Sequence, residues 1–300
     1  MLEYTNCNLC KNDKTKLLIS LGSSNLVKCK ICGLVYQNPR PSEKEMLRRF
    51  TSEPVVLEQK EMVRDYAKIE LFKKNLKRIE RYSPKGRLLD IGCGYGTFLK
   101  MAKNRGWQTW GVEISDSEYK HDTQDLGLNI FKGTLKEARF PDNFFDIITL
   151  WDVLNELNDP LDSLLEVSRI LRRGGLLLFR VRNLTFHLNF CYTFRNLAKK
   201  LNIGPVHFHL YVFSPKTVKR ILRKVAFRDI KITNSELTIG DPYCIGGIFG
   251  RSGIIFIKEM IFYLCKFIFY LTGGLLVLGP SILVLARKPL NDSKKSYAKN

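Results

Sequence analysis

Short apolar runs alternate with amphipathic stretches along the central part of the chain. The runs predict buried strands at 87–91, 108–113, near 128–131, at 145–151, 176–181 and 228–238. Helix-forming stretches lie between them, among them 98–103 and 161–171, and the second is followed by two arginines and two glycines that predict a helix end. Strand–helix alternation of this kind predicts a mostly parallel α/β sheet with its ligand at the carboxyl ends of the strands.

A glycine-rich turn joins the first strand to the first helix. Asp90 stands near the end of the strand, and Gly92, Gly94 and Gly96 follow at every second position. Glycine permits positive φ and leaves no side chain between backbone and ligand, so such a turn can hold a nucleoside against the helix N-terminus. A nicotinamide-binding loop would have its third glycine three residues after the second, whereas here the interval is two. A loop that merely turns tightly is the alternative.

The second strand ends at Glu113, where a carboxylate can accept hydrogen bonds from ribose hydroxyls. Together with the acid-x-G-x-G-x-G loop, this residue resembles the class I S-adenosylmethionine-dependent methyltransferases. The resemblance implies a Rossmann-like domain over 85–290, S-adenosylmethionine as cofactor, the Asp90 loop at its methionine end and Glu113 at its ribose. The cofactor-binding positions that it implies are Asp90, Gly92, Cys93, Gly94, Gly96, Glu113, Ile114, Thr134, Leu135, Trp151 and Asp152.

Two later motifs match that family with substitutions. Thr134 stands where relatives have an Asp that contacts the adenine, which leaves Thr134 or Leu135 as the expected partner of the adenine amino group. The segment 151–160 has Asn155-Glu156 where Glu-His is usual. A histidine that some relatives place beside the substrate is therefore missing from this segment.

An insertion after the fifth strand, 182–213, is rich in aromatic and basic residues and holds His187, His207 and His209. The resemblance implies that this insertion is a substrate lid over the transferring methyl group. His209 and Tyr211 lie in a segment similar to the family's His-Leu-x-x-Phe-Ser, so His209 is the first candidate for a general base and Tyr211 the second. The alternative is that His209 only orients the lid.

Two C-x2-C pairs with an eighteen-residue spacer open the chain. They predict a closed, tetrahedral and structural zinc site whose ligands are Cys7, Cys10, Cys29 and Cys32. Disulfides are the alternative, but the first six residues lack a secretory signal pattern, so we expect a reducing cytosolic compartment. The ribbon 1–42 resembles the one that precedes many bacterial small-molecule and sugar methyltransferases. Residues 43–84 predict helices at 43–50 and 58–82. The resemblance implies that the second helix covers the cofactor cleft, and the alternative is that it simply packs on the domain.

An apolar helix is predicted at 252–272. Its charged residues, Lys258, Glu259 and Lys266, fall within one narrow arc and leave most of the helix circumference apolar. The apolar run continues far enough to span a bilayer, yet 281–289 resembles the family's last strand. We therefore expect a helix that lies in the membrane surface, with a dimer or core helix and a spanning helix as the alternatives. The tail, 291–300, is polar and basic and is expected to be disordered.

Length and net charge limit the classes of function that the sequence allows. Three hundred residues, 45% of them hydrophobic, suit one globular domain with attachments, and a net charge of +20 favours nucleic acid, anionic lipid or a phosphorylated acceptor. Nucleic acid is disfavoured because the ribbon lacks alternating basic and aromatic residues and no Asn/Asp-Pro-Pro-aromatic motif follows strand four. We predict methyl transfer to an oxygen, carbon or nitrogen of a small-molecule, sugar or lipid-linked acceptor, in the cytoplasm at the inner face of the membrane. RNA methylation or RNA binding, and a binding module with a degenerate cofactor site, are the alternatives.

Overall fold

The computed structural model describes residues 2–51, 67–186, 188, 209–238 and 250–291. Its N-terminal part begins with five short strands and a helix, namely β1 (Leu2–Glu3), β2 (Thr15–Ser20), β3 (Asn25–Cys29), β4 (Val35–Gln37), β5 (Arg40–Pro41) and α1 (Glu43–Thr51).

The remaining elements alternate between helix and strand as the sequence pattern predicts. They are α2 (Ile69–Glu80), β6 (Arg87–Ile91), α3 (Thr97–Asn104), β7 (Gln108–Glu113), α4 (Asp116–Lys120), β8 (Ile130–Lys132), β9 (Phe145–Trp151), α5 (Pro160–Ile170), β10 (Leu171–Arg182), α6 (Leu184–Phe186), β11 (Tyr211–Val212), α7 (Pro215–Lys224), β12 (Arg228–Asn234), α8 (Gly250–Leu271) and β13 (Ser281–Arg287). A π-helical turn, His121–Asp125, continues α4.

Seven strands form the central sheet, in the order β12-β13-β10-β9-β6-β7-β8. The strands from β10 to β8 are parallel, and β13 is antiparallel to both of its neighbours. The chain runs outward from β6 through β7 to β8 and then crosses back to β9 on the other side of β6. Ligands bind outside the carboxyl ends of the strands at such a reversal of strand order. The predicted Rossmann-like, mostly parallel sheet is confirmed.

Several predicted boundaries differ from the structure. Helix α5 ends at Ile170, because the buried Leu171 is already extended and pairs with Phe145 of β9. The glycines predicted to end this helix instead lie in an irregular stretch of β10, where Gly174 has φ +72° and the register shifts before Leu176. Strand β12 ends at Asn234, earlier than predicted.

Helix α2 packs on the face of the sheet that also carries α3. Its buried apolar side chains recur at helical spacing and are Leu71, Phe72, Leu76 and Ile79. The Phe72 ring centroid lies 5.3 Å from that of Phe98 in α3 and 5.2 Å from that of Trp151 at the end of β9. Helix α2 therefore borders the carboxyl ends of the strands, and the earlier part of the predicted helix, 58–66, lies outside the described residues.

The N-terminal ribbon is continuous with the central domain. Strand β11 pairs antiparallel with β4 and completes a four-stranded sheet in the order β11-β4-β3-β2. The hydrophobic core beneath it includes ribbon residues, such as Leu34 and Tyr36, together with residues of the central sheet. At the predicted boundary, residue 42, the secondary structure therefore changes from strand to helix, but the ribbon and the central sheet share one hydrophobic core. Near the end of the predicted lid, Tyr211–Val212 belong to this ribbon sheet, while 187 and 189–208 lie outside the described residues.

Helix α8 lies against the edge of the central sheet, where the Asn234 side chain donates a hydrogen bond to the Cys265 carbonyl over 3.1 Å. Cys265 is buried, whereas Phe267 and Leu271 on the opposite side are exposed. In the described parts of the chain, no helix combines the length and the apolar character that crossing a bilayer requires. Nearly all of the predicted tail lies outside those parts.

Candidate active site

The glycine turn between β6 and α3 leaves one glycine open to a ligand. Gly92 and Gly94 both adopt positive φ, 64° and 57°. A Cβ on Gly92 would lie 2.6 Å from the Val153 side chain, so this position is packed against the domain. A Cβ on Gly94 would meet nothing nearer than the Glu118 side chain at 4.0 Å. The backbone at Gly94 therefore faces open space at the carboxyl end of β6, which fits a cofactor lying against the turn.

Glu113 ties the end of β7 to this turn. Its carboxylate accepts hydrogen bonds from three backbone N–H groups, those of Gly94 (3.0 Å), Ile114 (2.7 Å) and Ser115 (3.0 Å). Burial raises the pKa of Glu113, and the three N–H donors oppose that rise. The sequence predicts contact with ribose hydroxyls; the structure adds that the same carboxylate fixes the glycine turn. The predicted Ile114 contributes its backbone N–H to this arrangement.

Asp90 is buried under the turn and is oriented by β9. The Thr149 hydroxyl donates a hydrogen bond to its carboxylate over 2.6 Å. Sequence reasoning missed Thr149, although it is the only hydroxyl residue of an otherwise largely apolar strand. Cys93 is also buried, and its thiol contacts Asp122 at 3.5 Å. Burial raises the pKa of that thiol, so the Cys93 side chain packs inside the domain.

The two candidates for the adenine contact are placed differently. Thr134 donates hydrogen bonds to Glu137 from both its backbone N–H (2.7 Å) and its hydroxyl (2.8 Å). Leu135 is buried and packs in the core. The Thr134 donors are therefore engaged within the loop, which leaves the adenine partner a prediction.

Trp151, at the end of β9, is the next predicted cofactor position. It is buried beside Phe72 and Phe98, with ring centroids 5.2 and 5.0 Å away. Its indole N–H has no hydrogen-bond partner within the described residues. A buried indole N–H is usually paired, so this donor fits a site that is completed by a bound molecule.

Asp152 follows Trp151 and lies among cations. It adopts φ +65°, and its carboxylate accepts a hydrogen bond from the Arg180 guanidinium over 2.6 Å, with the Lys68 ammonium 4.0 Å away. Burial opposes ionisation of Asp152, but Arg180 and then Lys68 outweigh it and hold its pKa below the usual range. Sequence reasoning missed both cations. Arg180 is detectable as the one charge in the apolar run 176–181.

Glu156 and His209 meet near Asp152. The imidazole Nδ1 of His209 contacts the Glu156 carboxylate, and both side chains are about one-quarter exposed. The predicted base, His209, is therefore paired with Glu156. This carboxylate lies in the segment 151–160, at the position where the family usually has a histidine.

Tyr211, the second candidate base, lies between the ribbon and the central domain. It is only 2% exposed, and its hydroxyl accepts a hydrogen bond from Arg40 (2.6 Å) and donates one to the Asn158 carbonyl (3.0 Å). Burial raises its pKa to about 12. The catalytic prediction for Tyr211 gains no support, because the hydroxyl keeps its proton at neutral pH and joins the ribbon to the domain.

The four ribbon cysteines come together as the spacing predicts. Their sulfur atoms all lie within 4.8 Å of one another, and three of the four residues are buried. Tetrahedral zinc–thiolate bonds of about 2.3 Å place sulfur atoms roughly 3.8 Å apart, so this cluster fits a metal ion. Both knuckles also contact helix α7, where Lys224 donates to the Leu9 carbonyl over 2.7 Å and Arg220 donates to the Cys32 carbonyl.

Comparison with known proteins gives the family. The family model described as a methyltransferase domain matches residues 64–232, more than half of the chain. An uncharacterized protein of Methanocaldococcus jannaschii is 25% identical over 63% of this chain and 88% of its own. A ubiquinone biosynthesis O-methyltransferase of Saccharophagus degradans is 27% identical over 32% and 44%, and the 27-O-demethylrifamycin SV methyltransferase of Amycolatopsis mediterranei 31% identical over 30% and 36%. The chain thus spans less than half the length of these two enzymes.

Solved structures show the same fold. A chain of the Haloferax volcanii complex between the Trm112 methyltransferase activator and a methyltransferase has a TM-score of 0.54 at 14% identity, over 78% of this chain and 93% of that chain. Phosphoethanolamine N-methyltransferase 2 of Haemonchus contortus, solved with S-adenosylmethionine, has a TM-score of 0.51 at 19% identity, over 85% and 63%. At these identities the likeness concerns the fold alone. With the glycine turn and the family match, it follows that the chain belongs to the methyltransferase domain family and is an S-adenosylmethionine-dependent methyltransferase.

Proposed function

We propose that the enzyme methylates a hydroxyl oxygen of a small-molecule, sugar or lipid-linked acceptor, with His209 as the proton acceptor. The observation that carries this proposal is the contact between Glu156 and His209 at the carboxyl end of β9. One of the similar proteins named above is an O-methyltransferase by name, which supports oxygen as the acceptor atom. A hydroxyl needs a base because it stays protonated at neutral pH, whereas a neutral amine already carries the lone pair that attacks the methyl group.

S-adenosylmethionine supplies a methyl group on a positively charged sulfur, and the displacement runs in line, so alignment of the acceptor is the main task of the protein. When Glu156 accepts the Nδ1 hydrogen of His209, the other ring nitrogen is free to take the hydroxyl proton. The resulting imidazolium is stabilised by the same carboxylate. The backbone at Gly94, together with Glu113, would hold the cofactor on the other side of the reacting atoms.

We also propose that the ribbon binds one structural zinc ion through Cys7, Cys10, Cys29 and Cys32. Support comes from the sulfur distances and from the C-x2-C spacing. With four protein ligands, no coordination position is left for a substrate. The role of the metal is then to hold the ribbon strands, and through β4 and β11 it supports the segment that carries His209.

The test compares His209→Gln and Glu156→Gln with Glu166→Gln, a control on α5 whose carboxylate pairs with Arg169. Labelled S-adenosylmethionine is incubated with separate pools of nucleotide sugars, lipid extract, small alcohols and RNA. Loss of a general base typically costs roughly 10²–10⁴-fold in rate, so the first two variants should lose transfer to that extent. Their cofactor affinity, measured by calorimetry, and the activity of the control should stay unchanged.

Two outcomes would overturn the proposal. Labelling confined to the RNA pool would favour the RNA methyltransferase that the net charge also allows. Full transfer activity in His209→Gln would show that no base is needed at this position, as expected for an amine acceptor.

A further inference from the structure

One face of helix α8 is an exposed apolar stripe, defined here as Phe256, Met260, Tyr263, Leu264, Phe267 and Leu271. These positions recur every three or four residues, so they lie on one side of the helix. Each of these residues is 55–70% exposed. At roughly 150–250 Å² per large side chain, the stripe exposes about 700 Å². The largest apolar patch on a typical soluble monomer is about 300–600 Å², so a stripe of this size indicates a surface that a partner covers.

The opposite face of α8 packs against the rest of the protein. Cys265 is buried against the domain, and Phe269 packs against the core beneath the ribbon and the central sheet. The helix is therefore anchored by one side, and the stripe points away from the protein. Its geometry is that of a helix lying parallel to a surface, in agreement with the finding that no helix of the described chain is suited to span a bilayer.

Charge decides between a membrane and a second copy of the chain. Helix α8 carries Arg251, Lys258 and Lys266 against Glu259, and the whole chain carries a net charge of +20. Two copies with this charge repel each other, whereas an anionic bilayer attracts each copy. Lys266 is exposed at one border of the stripe, with its ammonium 6.0 Å from the centre of the Tyr270 ring. A cation and a tyrosine side by side at the border of an apolar stripe suit the lipid headgroup region.

We infer that the apolar stripe of α8 docks the enzyme on an anionic bilayer surface, with the stripe among the lipid tails and Lys266 at the headgroups. The docking is independent of the acceptor's identity, because none of the stripe residues takes part in the proposed proton transfer.

The stripe leads to the active-site edge of the sheet. After α8 the chain turns through Leu275 and Leu276, which are 85% and 47% exposed. The next residue is Val277, whose carbonyl accepts a hydrogen bond from the Asn183 side chain over 2.9 Å, directly after the end of β10. Docking would therefore bring the carboxyl ends of the strands close to the membrane. It would put a lipid-linked acceptor within reach, a consequence that rests on the proposed function.

The experiment is flotation of the full-length protein with vesicles of phosphatidylcholine, with and without phosphatidylglycerol. Wild type should float with the anionic vesicles. Phe267→Glu combined with Leu271→Glu should lower the partition constant roughly tenfold or more, because burying a single large apolar side chain already favours binding by at least that factor. Lys266→Glu should weaken binding to anionic vesicles only. Leu165→Glu, a control at a half-exposed leucine on α5, should bind as wild type does.

Thermal unfolding of each variant checks that the fold survives, and sedimentation equilibrium without lipid gives the oligomeric state. A wild type that ignores vesicles and sediments as a dimer, with the double variant monomeric, would identify the stripe as a self-association face and overturn the inference. A monomeric wild type that ignores both kinds of vesicle would overturn it as well. Equal flotation of wild type and double variant would show that the stripe is not the contact.

Discussion

The cofactor side and the acceptor side of this active site are built in different ways. The cofactor side, 87–113, is one continuous strand–turn–helix–strand unit in which Glu113 bonds back to Gly94. On the acceptor side, Glu156 meets His209 across 53 residues of sequence, and the His209 segment is held by pairing with the ribbon. A local backbone motif is sufficient for the first, whereas the second needs the whole tertiary structure. We therefore expect changes to affect the two sides separately.

The largest expected effect is a loss of cofactor affinity that a change in stability does not explain. In Gly94→Phe, the side chain enters the space where the cofactor lies, so affinity for S-adenosylmethionine should fall by at least about a hundredfold, equivalent to roughly 3 kcal/mol. Isothermal calorimetry measures this.

Gly127→Phe is the matched control, because Gly127 has a similar φ of +58° and a Cβ there would meet no atom within 4 Å. Both variants carry the cost of positive φ, about 1–2 kcal/mol, but only Gly94→Phe should lose the cofactor. Equal affinities in the two variants would contradict the assignment of the turn.

The ion pair of Asp152 with Arg180 gives the stability of the fold a pH dependence. The pKa of Asp152 is lower in the folded chain than its ordinary 3.8, so the ionised carboxylate stabilises the fold above that pH. The contribution is lost as the pH falls through the lowered pKa. Asp152→Asn should therefore reduce the free energy of unfolding by about 1.5–3 kcal/mol at neutral pH, the size of a hydrogen bond to a charged group.

Urea unfolding of wild type and Asp152→Asn at several pH values measures that difference. It should shrink steadily below about pH 3.8. A difference that stays constant down to the lowest pH at which the protein folds would show that the charge of Asp152 is not the stabilising feature.

The smallest effect concerns the contact between ribbon and domain. Tyr211→Phe removes the hydroxyl that bonds Arg40 and the Asn158 carbonyl, so it should cost about 1 kcal/mol of stability. Tyr36→Phe is the control, since the buried Tyr36 hydroxyl has no hydrogen-bond partner within the described residues. The control should be neutral or slightly stabilising. If Tyr211→Phe instead loses methyl transfer at unchanged stability, Tyr211 is catalytic after all.

The sequence predicts the cofactor side well because the residues that form it are close together along the chain. Three glycines and two acids dictate the backbone turn, and strands β6, β7 and β9 begin and end where the apolar runs do. Thr149 and Arg180 were missed because a polar residue in a buried strand reveals its partner only after the strands are paired. The position of Tyr211 was not predicted for the same reason, since no sequence pattern shows that β11 pairs with β4 of the ribbon.

The central claim, that the ribbon supports the acceptor side but not the cofactor side, is tested most directly by hydrogen exchange of the full chain before and after chelation of the proposed zinc ion. Amide protection reports local opening. Metal removal should expose the backbone N–H of Gln37, which bonds the Leu210 carbonyl, and that of Tyr211, which bonds the Asn155 carbonyl. The N–H groups of Gly92 and Gly94 should keep their protection. Loss of protection confined to the cysteine knuckles, or spread equally over both sides, would contradict the account.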